Sequence, residues 1–454
     1  MPFVAINPAT EEVIEEFGAH GDAEVDGALA RATRAYATWR ASDVDERAAC
    51  LTRVAELLES EVPVAAAMMT REMGKTFAAA KGEVLKCAMT LRYFAERGAS
   101  MLHDEIVVTS GSRSGVRFDP VGVVFAIMPW NFPLWQVIRM AAPTLMAGNV
   151  VVYKHAPNVP GSATYLEDLF VRAGVGRGVL TNLFVEIDRV EAIIADSRVA
   201  AVTLTGSERA GRAVAELAGR HLKKCVLELG GSDPFIVASS ADMEATVDMA
   251  VTARIQNNGQ ACIASKRYLV VRERADEFVE MFSAAMAAVR MGDPMDPATA
   301  LGPLVSEVQR DLLVAQVSSS VSAGARVLAG GVVPDGPGFF YPATVLSDVS
   351  RESRAGCEEL FGPVAVVVVA DDLADAIRRA NDTPWGLGAS IWAVDDAEID
   401  RAIAALDVGT VFANAIVSSM PELPFGGTKN SGFGRELSTW GAREFTNTKS
   451  YYVA

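Results

Sequence analysis

Between Val121 and Leu204 short apolar runs alternate with helical segments, and no other feature constrains the fold of this chain so strongly. Val121 to Met128 reads as a buried strand ending at Pro129, and Pro133 to Met146 as a helix with Pro133 in its first turn. Asn149 to Tyr153 is a second strand, Ser162 to Ala173 a helix and Ala200 to Leu204 a third strand. Strands separated by helices cannot be hairpin partners; they predict a parallel sheet whose ligands bind outside the strands' carboxyl ends. The pattern resumes with strands at Pro234–Val237, Val364–Val369, Ala389–Ala393 and Thr410–Ala413. Helices over 243–255, 275–289, 373–381 and 397–406 lie between them. A chain of 454 residues exceeds what one core supports, so the expected class is α/β with two lobes.

A small hairpin completes the organisation: Glu105–Thr109 and Ser114–Phe118 flank a Ser110-Gly111-Ser112-Arg113 connection. The first hundred residues read as helices. Ser42 caps one of them, with Asp45 three residues later, and another runs from about Ala78 through Arg97.

Composition narrows the function classes. The formal net charge of −16 argues against nucleic acid or an anionic membrane as partner. Five cysteines without CxxC spacing, and no secretory pattern in the first residues, predict a reduced, cytoplasmic setting. The four histidines are isolated from one another and from the cysteines, so neither a metal site nor a Cys-His hydrolase is expected.

Four stretches carry chemistry. Ile255 to Arg267 places the single thiol of Cys262 in a polar, glycine-containing turn, and Glu228 supplies a carboxylate within the apolar run Val226-Leu227-Glu228-Leu229-Gly230-Gly231. A thiol can be a nucleophile and a carboxylate a base. Trp130-Asn131-Phe132-Pro133 puts an amide at a strand end, where it could donate to an oxyanion or simply hold a turn. Thr205-Gly206-Ser207-Glu208-Arg209-Ala210-Gly211 follows a strand and opens a helix, an imperfect version of the turn that cradles a pyrophosphate. Lys154, at the end of the second strand, is placed for a nucleotide ribose or phosphate.

Taken together these stretches resemble the aldehyde dehydrogenase superfamily. The resemblance runs from Asn7-Pro8-Ala9-Thr10 to the end of the chain, through Pro129-Trp130-Asn131-Phe132-Pro133, Thr205-Gly206-Ser207 and Leu227-Glu228-Leu229-Gly230-Gly231. It continues in Gly259-Gln260-Ala261-Cys262, Glu359-Leu360-Phe361-Gly362-Pro363 and Pro424-Phe425-Gly426-Gly427. The resemblance implies that Cys262 is the nucleophile, Glu228 the hydrolytic base, and Asn131 with the Cys262 backbone N–H the oxyanion hole. It assigns Trp130, Lys154, Ala156, Pro157, Gly206, Ser207, Glu359 and Phe361 to the cofactor, with Phe361 beside the nicotinamide. It also implies a Rossmann-like cofactor domain (1–103 and 120–229), a catalytic domain (230–436) and a β-hairpin oligomerisation element (104–119 and 437–454), hence a homodimer or homotetramer. Relatives that pass the acyl group to coenzyme A lack the glutamate found here at Glu228, so water is the expected acceptor.

Arg139 lies eight positions after Asn131, at the spacing where relatives of the succinate semialdehyde type hold the distal carboxylate; Ser418 and Ser419 resemble the same subgroup. Some of those relatives carry a second arginine where this chain has Gln256, which leaves glutarate semialdehyde and neutral aliphatic aldehydes as alternative substrates. Ala264 stands where some relatives have a redox-switch cysteine. Pro157 replaces the glutamate of many NAD-preferring relatives, which permits NADP without excluding NAD. A cofactor-independent thiol esterase and a catalytically silent protein on this fold are the readings from other classes.

Overall fold

The computed structural model describes residues 3–454. Two sheets organise the chain. The first has six strands in the order Gly432–Phe433, Lys224–Glu228, Val199–Thr205, Val123–Ile127, Val150–Lys154 and Leu180–Asn182. All its pairings are parallel except that of Gly432–Phe433, which runs antiparallel to the strand carrying Glu228. The second has seven strands: Arg326–Ala329, Thr344–Ser347, Val364–Ala370, Arg267–Val271, Pro234–Val237, Gly388–Trp392 and Thr410–Ala413. It is parallel apart from its first pair. The central strands are apolar along their whole length because both faces are covered: Val123, Val124, Phe125 and Ala126 are all buried.

The predicted hairpin is present, with strands Glu105–Ile106 and Arg113–Pro120, and the closing strand Thr446–Val453 pairs with the latter from Thr446↔Pro120 to Val453↔Arg113. Ile106 and Val108 on this element are 83% and 94% exposed. No helix among the described residues is long and apolar enough to cross a membrane.

Three expectations need correction. Residues 3–17 are not helical: Phe3–Ile6 and Val13–Phe17 form an antiparallel pair, closed by a turn in which Glu11 takes a φ of 66°. The capping box lies one residue later than the sequence suggests. Asp43 is the N-cap of Val44–Ser60, with Glu46 reaching back to its N–H at 3.3 Å, while Ser42 Oγ donates to Trp39 O. The helix after Asn131 begins at Trp135, so Pro133 lies ahead of its first turn. There Glu83 accepts the N–H groups of Leu134 and Trp135, both at 2.9 Å, the role expected of a capping side chain.

Candidate active site

Cys262 sits in a loop that its own neighbours immobilise. After the helix Met243–Ile255 the backbone turns through Asn257 and Asn258 in the left-handed region and Gly259 at a φ of 74°. A Cβ on Gly259 would lie 2.3 Å from the Gly362 carbonyl carbon, so no side chain fits. Asn258 Nδ2 donates to Gly74 O and Pro303 O, and its Oδ1 accepts Gly302 N–H. Asn257 Nδ2 donates to Asn131 O at 2.7 Å and to Gln260 O at 3.0 Å. The buried Arg254 donates to Ser265 O and Gly259 O, and Lys266 to Ala261 O and Cys262 O. A nucleophile held this way keeps its angle of attack without help from substrate.

Two cavities meet at the thiol. One, of about 290 Å³, is lined by Trp130, Asn131, Gly206, Ser207, Glu228, Gly230, Glu359 and Phe361 together with Cys262. The other, of about 260 Å³, is lined by Lys86, Trp135, Arg139, Gln256, Ser418, Ser419 and Phe425, again with Cys262. Only Gln136 and Cys262 border both.

The first cavity has the features of a dinucleotide site. Ser207 caps the helix Glu208–Arg220, and Gly206 N–H is bonded to Glu228 O, so the helix N-terminus opens onto the space. Glu359 is fixed by Gly231 N–H and Lys266 Nζ, each at 3.1 Å. A Cβ at Gly230 would stand 2.2 Å from a Glu359 carboxylate oxygen, so a side chain there would displace Glu359. Trp130 and Phe361 meet edge to face at 5.6 Å and frame the opening. These residues fit a nicotinamide nucleotide, with a carboxylate for a ribose and apolar rings for the nicotinamide. Lys154, Ala156 and Pro157 do not line this cavity. Lys154 Nζ lies 3.4 Å from His155 O, and the exposed Pro157 belongs to the turn beyond the strand end.

Electrostatics separate the titratable groups. Burial pushes the Cys262 thiol up to about 11, against the pull of Arg139 and Lys266. Burial, reinforced by Glu436, holds the Glu228 carboxyl well above the usual carboxylate range, and neither of its oxygens has a hydrogen-bond partner. Asn131 Nδ2 donates to Gln260 O at 3.0 Å, leaving its second amide hydrogen uncommitted.

Arg139 differs most from its sequence-based picture. It lines the second cavity beside Ser418 and Ser419, and two of its three guanidinium nitrogens have partners within the protein. Nε is ion-paired with the buried Glu436, Nη2 donates to Thr205 Oγ1 at 3.3 Å, and the group lies 4.7 Å over the Phe425 ring. Glu436 went unnoticed in the sequence because nothing near Arg435-Glu436-Leu437 marks a carboxylate that folds back onto a helix 297 residues earlier. Lys86 was missed as well. Its signal was a cation inside the mostly apolar helix Phe77–Met101, in register with Ala79, Gly82 and Glu83, all of which border the second cavity.

The aldehyde dehydrogenase family model matches residues 2–451. The chain belongs to the aldehyde dehydrogenase family. Among its relatives is succinate-semialdehyde dehydrogenase [NADP(+)] 1 of Mycobacterium tuberculosis, 51% identical with both chains covered in full. The succinate-semialdehyde dehydrogenase [NADP(+)] of Mycobacterium leprae is 49% identical, again over the full length of both. The crystal structure of succinic semialdehyde dehydrogenase from Streptococcus pyogenes, in complex with NADP+, superposes with a TM-score of 0.97 at 38% identity, covering 99% of each chain.

Proposed function

We propose that this aldehyde dehydrogenase oxidises succinate semialdehyde to succinate, with NADP in the first cavity and the aldehyde in the second. One observation carries the reading: the thiol of Cys262 is shared between a space bordered by Gly206, Ser207, Glu359 and Phe361 and a second one with two cationic side chains. The names of the relatives at 51% and 49% identity support the substrate and the cofactor.

In this mechanism Cys262 Sγ attacks the aldehyde carbon and forms a tetrahedral adduct. Arg139 and Lys266 offset the burial that otherwise disfavours the thiolate. The free amide hydrogen of Asn131 and the Cys262 N–H stabilise the developing oxyanion; one such donor is worth roughly 3 kcal/mol. The bound nicotinamide nucleotide supplies the hydride acceptor. Loss of hydride from the adduct carbon, as the oxyanion re-forms the carbonyl, leaves a thioester on Cys262, and Glu228 takes a proton from the water that releases the acid. Glu359 would hold a ribose, Trp130 and Phe361 would border the nicotinamide, and Gly206 and Ser207 would meet the pyrophosphate. Lys154, Ala156 and Pro157 serve the adenosine half, where Pro157 brings no carboxylate against a 2′-phosphate. The segments 1–103 with 120–229 and 230–436 are the cofactor and catalytic domains, and 104–119 with 437–454 buries its apolar side chains in a homo-oligomer. The enzyme works in the cytoplasm.

The test is steady-state kcat/KM for succinate semialdehyde, glutarate semialdehyde and butanal, each with NADP+ and NAD+. The reading expects succinate semialdehyde with NADP+ to be the preferred pair. Preference for butanal would overturn the substrate, and preference for NAD+ the cofactor.

A further inference from the structure

Besides Cys262, three ionisable side chains border the second cavity: Glu83, Lys86 and Arg139. Two have ion-pair partners within the protein. Glu83 is ion-paired with the buried Lys75 and accepts two backbone N–H groups. Arg139 is ion-paired with Glu436. Lys86 differs, because no carboxylate among the described residues forms an ion pair with it. Its Nζ donates to Ser419 Oγ at 2.9 Å and lies 4.3 Å over the Trp135 ring. An ammonium has three hydrogens to donate, so this arrangement orients the group and leaves donors facing the cavity. Gln256, the position where a second cation is absent, contributes only an amide whose Nε2 donates to Ala253 O.

A partly desolvated cation with no fixed counter-ion is costly unless a ligand provides one. Burial, with Arg139 nearby, accordingly lowers the Lys86 pKa to about 8. We propose that Lys86 is a second specificity-determining cation of this site, beside Arg139, pairing with the distal carboxylate of the substrate and supplying the charge that Gln256 lacks. This rests on the carboxylate-bearing aldehyde argued above. Arg139 pairs with Glu436 through Nε and bonds Thr205 through Nη2, which leaves its Nη1 hydrogens uncommitted in the same cavity.

The experiment compares kcat/KM for succinate semialdehyde and for butanal, which has the same chain length and no carboxylate, in wild type, Lys86→Gln, Lys86→Met and Lys86→Arg. Lys86→Gln should lower the succinate semialdehyde to butanal ratio by roughly ten- to a hundred-fold, the range for a hydrogen bond to a charged group. Most of the loss should fall on KM, since a remote carboxylate is held equally in ground and transition states. Lys86→Met, which keeps the stem over Trp135, should lose the same ratio, and Lys86→Arg should recover part of it. An unchanged ratio in the Gln and Met variants, or equal losses on both aldehydes, would overturn the assignment. A wild-type ratio near one would instead overturn the substrate reading on which it rests, so the two failures are distinguishable.

Discussion

Replacing Asn131 by alanine should separate catalysis from folding in a way the hydrogen bonds let one calculate. Gln260 O receives two donors at 3.0 Å, one from Asn131 Nδ2 and one from Asn257 Nδ2. Asn131→Ala removes the first and leaves the second, so the carbonyl stays satisfied and the Cys262 loop keeps its anchors at Asn257, Asn258 and Arg254. Asn131 Oδ1 has no partner to lose. The expected stability cost is therefore one ordinary hydrogen bond, about 1 kcal/mol. The catalytic cost is that of an oxyanion donor, about 10²–10³-fold in the acylation step. Rapid mixing of enzyme, NADP+ and aldehyde, followed through the absorbance of the reduced nicotinamide, gives the first-turnover rate, and a denaturant titration gives the stability. A first-turnover rate within a few-fold of wild type would refute the oxyanion role. A stability loss several times larger than expected would show that Asn131 mainly holds the loop.

Other outcomes follow from the same geometry. Glu228→Gln should retain a burst of reduced nicotinamide while slowing acid release, and loss of the burst itself would contradict a role confined to deacylation. Because burial raises the Glu228 carboxyl well above the usual carboxylate range, wild-type deacylation should rise with pH above that range, and Glu228→Gln should flatten that rise. The ammonium of Lys86 faces Arg139 on the adjacent helix, Glu83 and Cys87 on its own, and Cys262 across the cavity. With its pKa lowered to about 8, it is cationic below that pH and neutral above. The succinate semialdehyde to butanal ratio of kcat/KM should be full below about pH 8 and fall above it, whereas a flat ratio from pH 7 to 10 would count against the counter-ion. Gly259→Ala combines a φ of 74° with a Cβ 2.3 Å from backbone and should cost at least about 2 kcal/mol, read as a lowered denaturation midpoint. Wild-type stability in that variant would mean the loop adapts.

The parallel sheets were legible because strands buried on both faces leave continuous apolar runs: Pro234–Val237 lies where the pattern puts it, and Gly388–Trp392 within one residue of it. The opening strand pair was not, since Val13–Phe17 is mostly exposed and carries no buried alternation to read. Cys262, Glu228 and Asn131 were legible as local motifs, and the structure brings all three to one cavity. What sequence could not show was which charges cancel. The spacing that singles out Arg139 carries no sign of the Glu436 folded against it, and nothing local marks the Ser419 that meets Lys86. Both depend on contacts across roughly 300 residues, 297 for Arg139 and 333 for Lys86, which no local pattern encodes.

The most direct test of Cys262 as the hinge between the two cavities is a single measurement on wild type and Cys262→Ala: reduced nicotinamide formed from succinate semialdehyde and NADP+. Wild type should produce it continuously as acid is released, and Cys262→Ala should produce none while still binding NADP+. Hydride transfer that survives without the thiol would contradict the covalent mechanism.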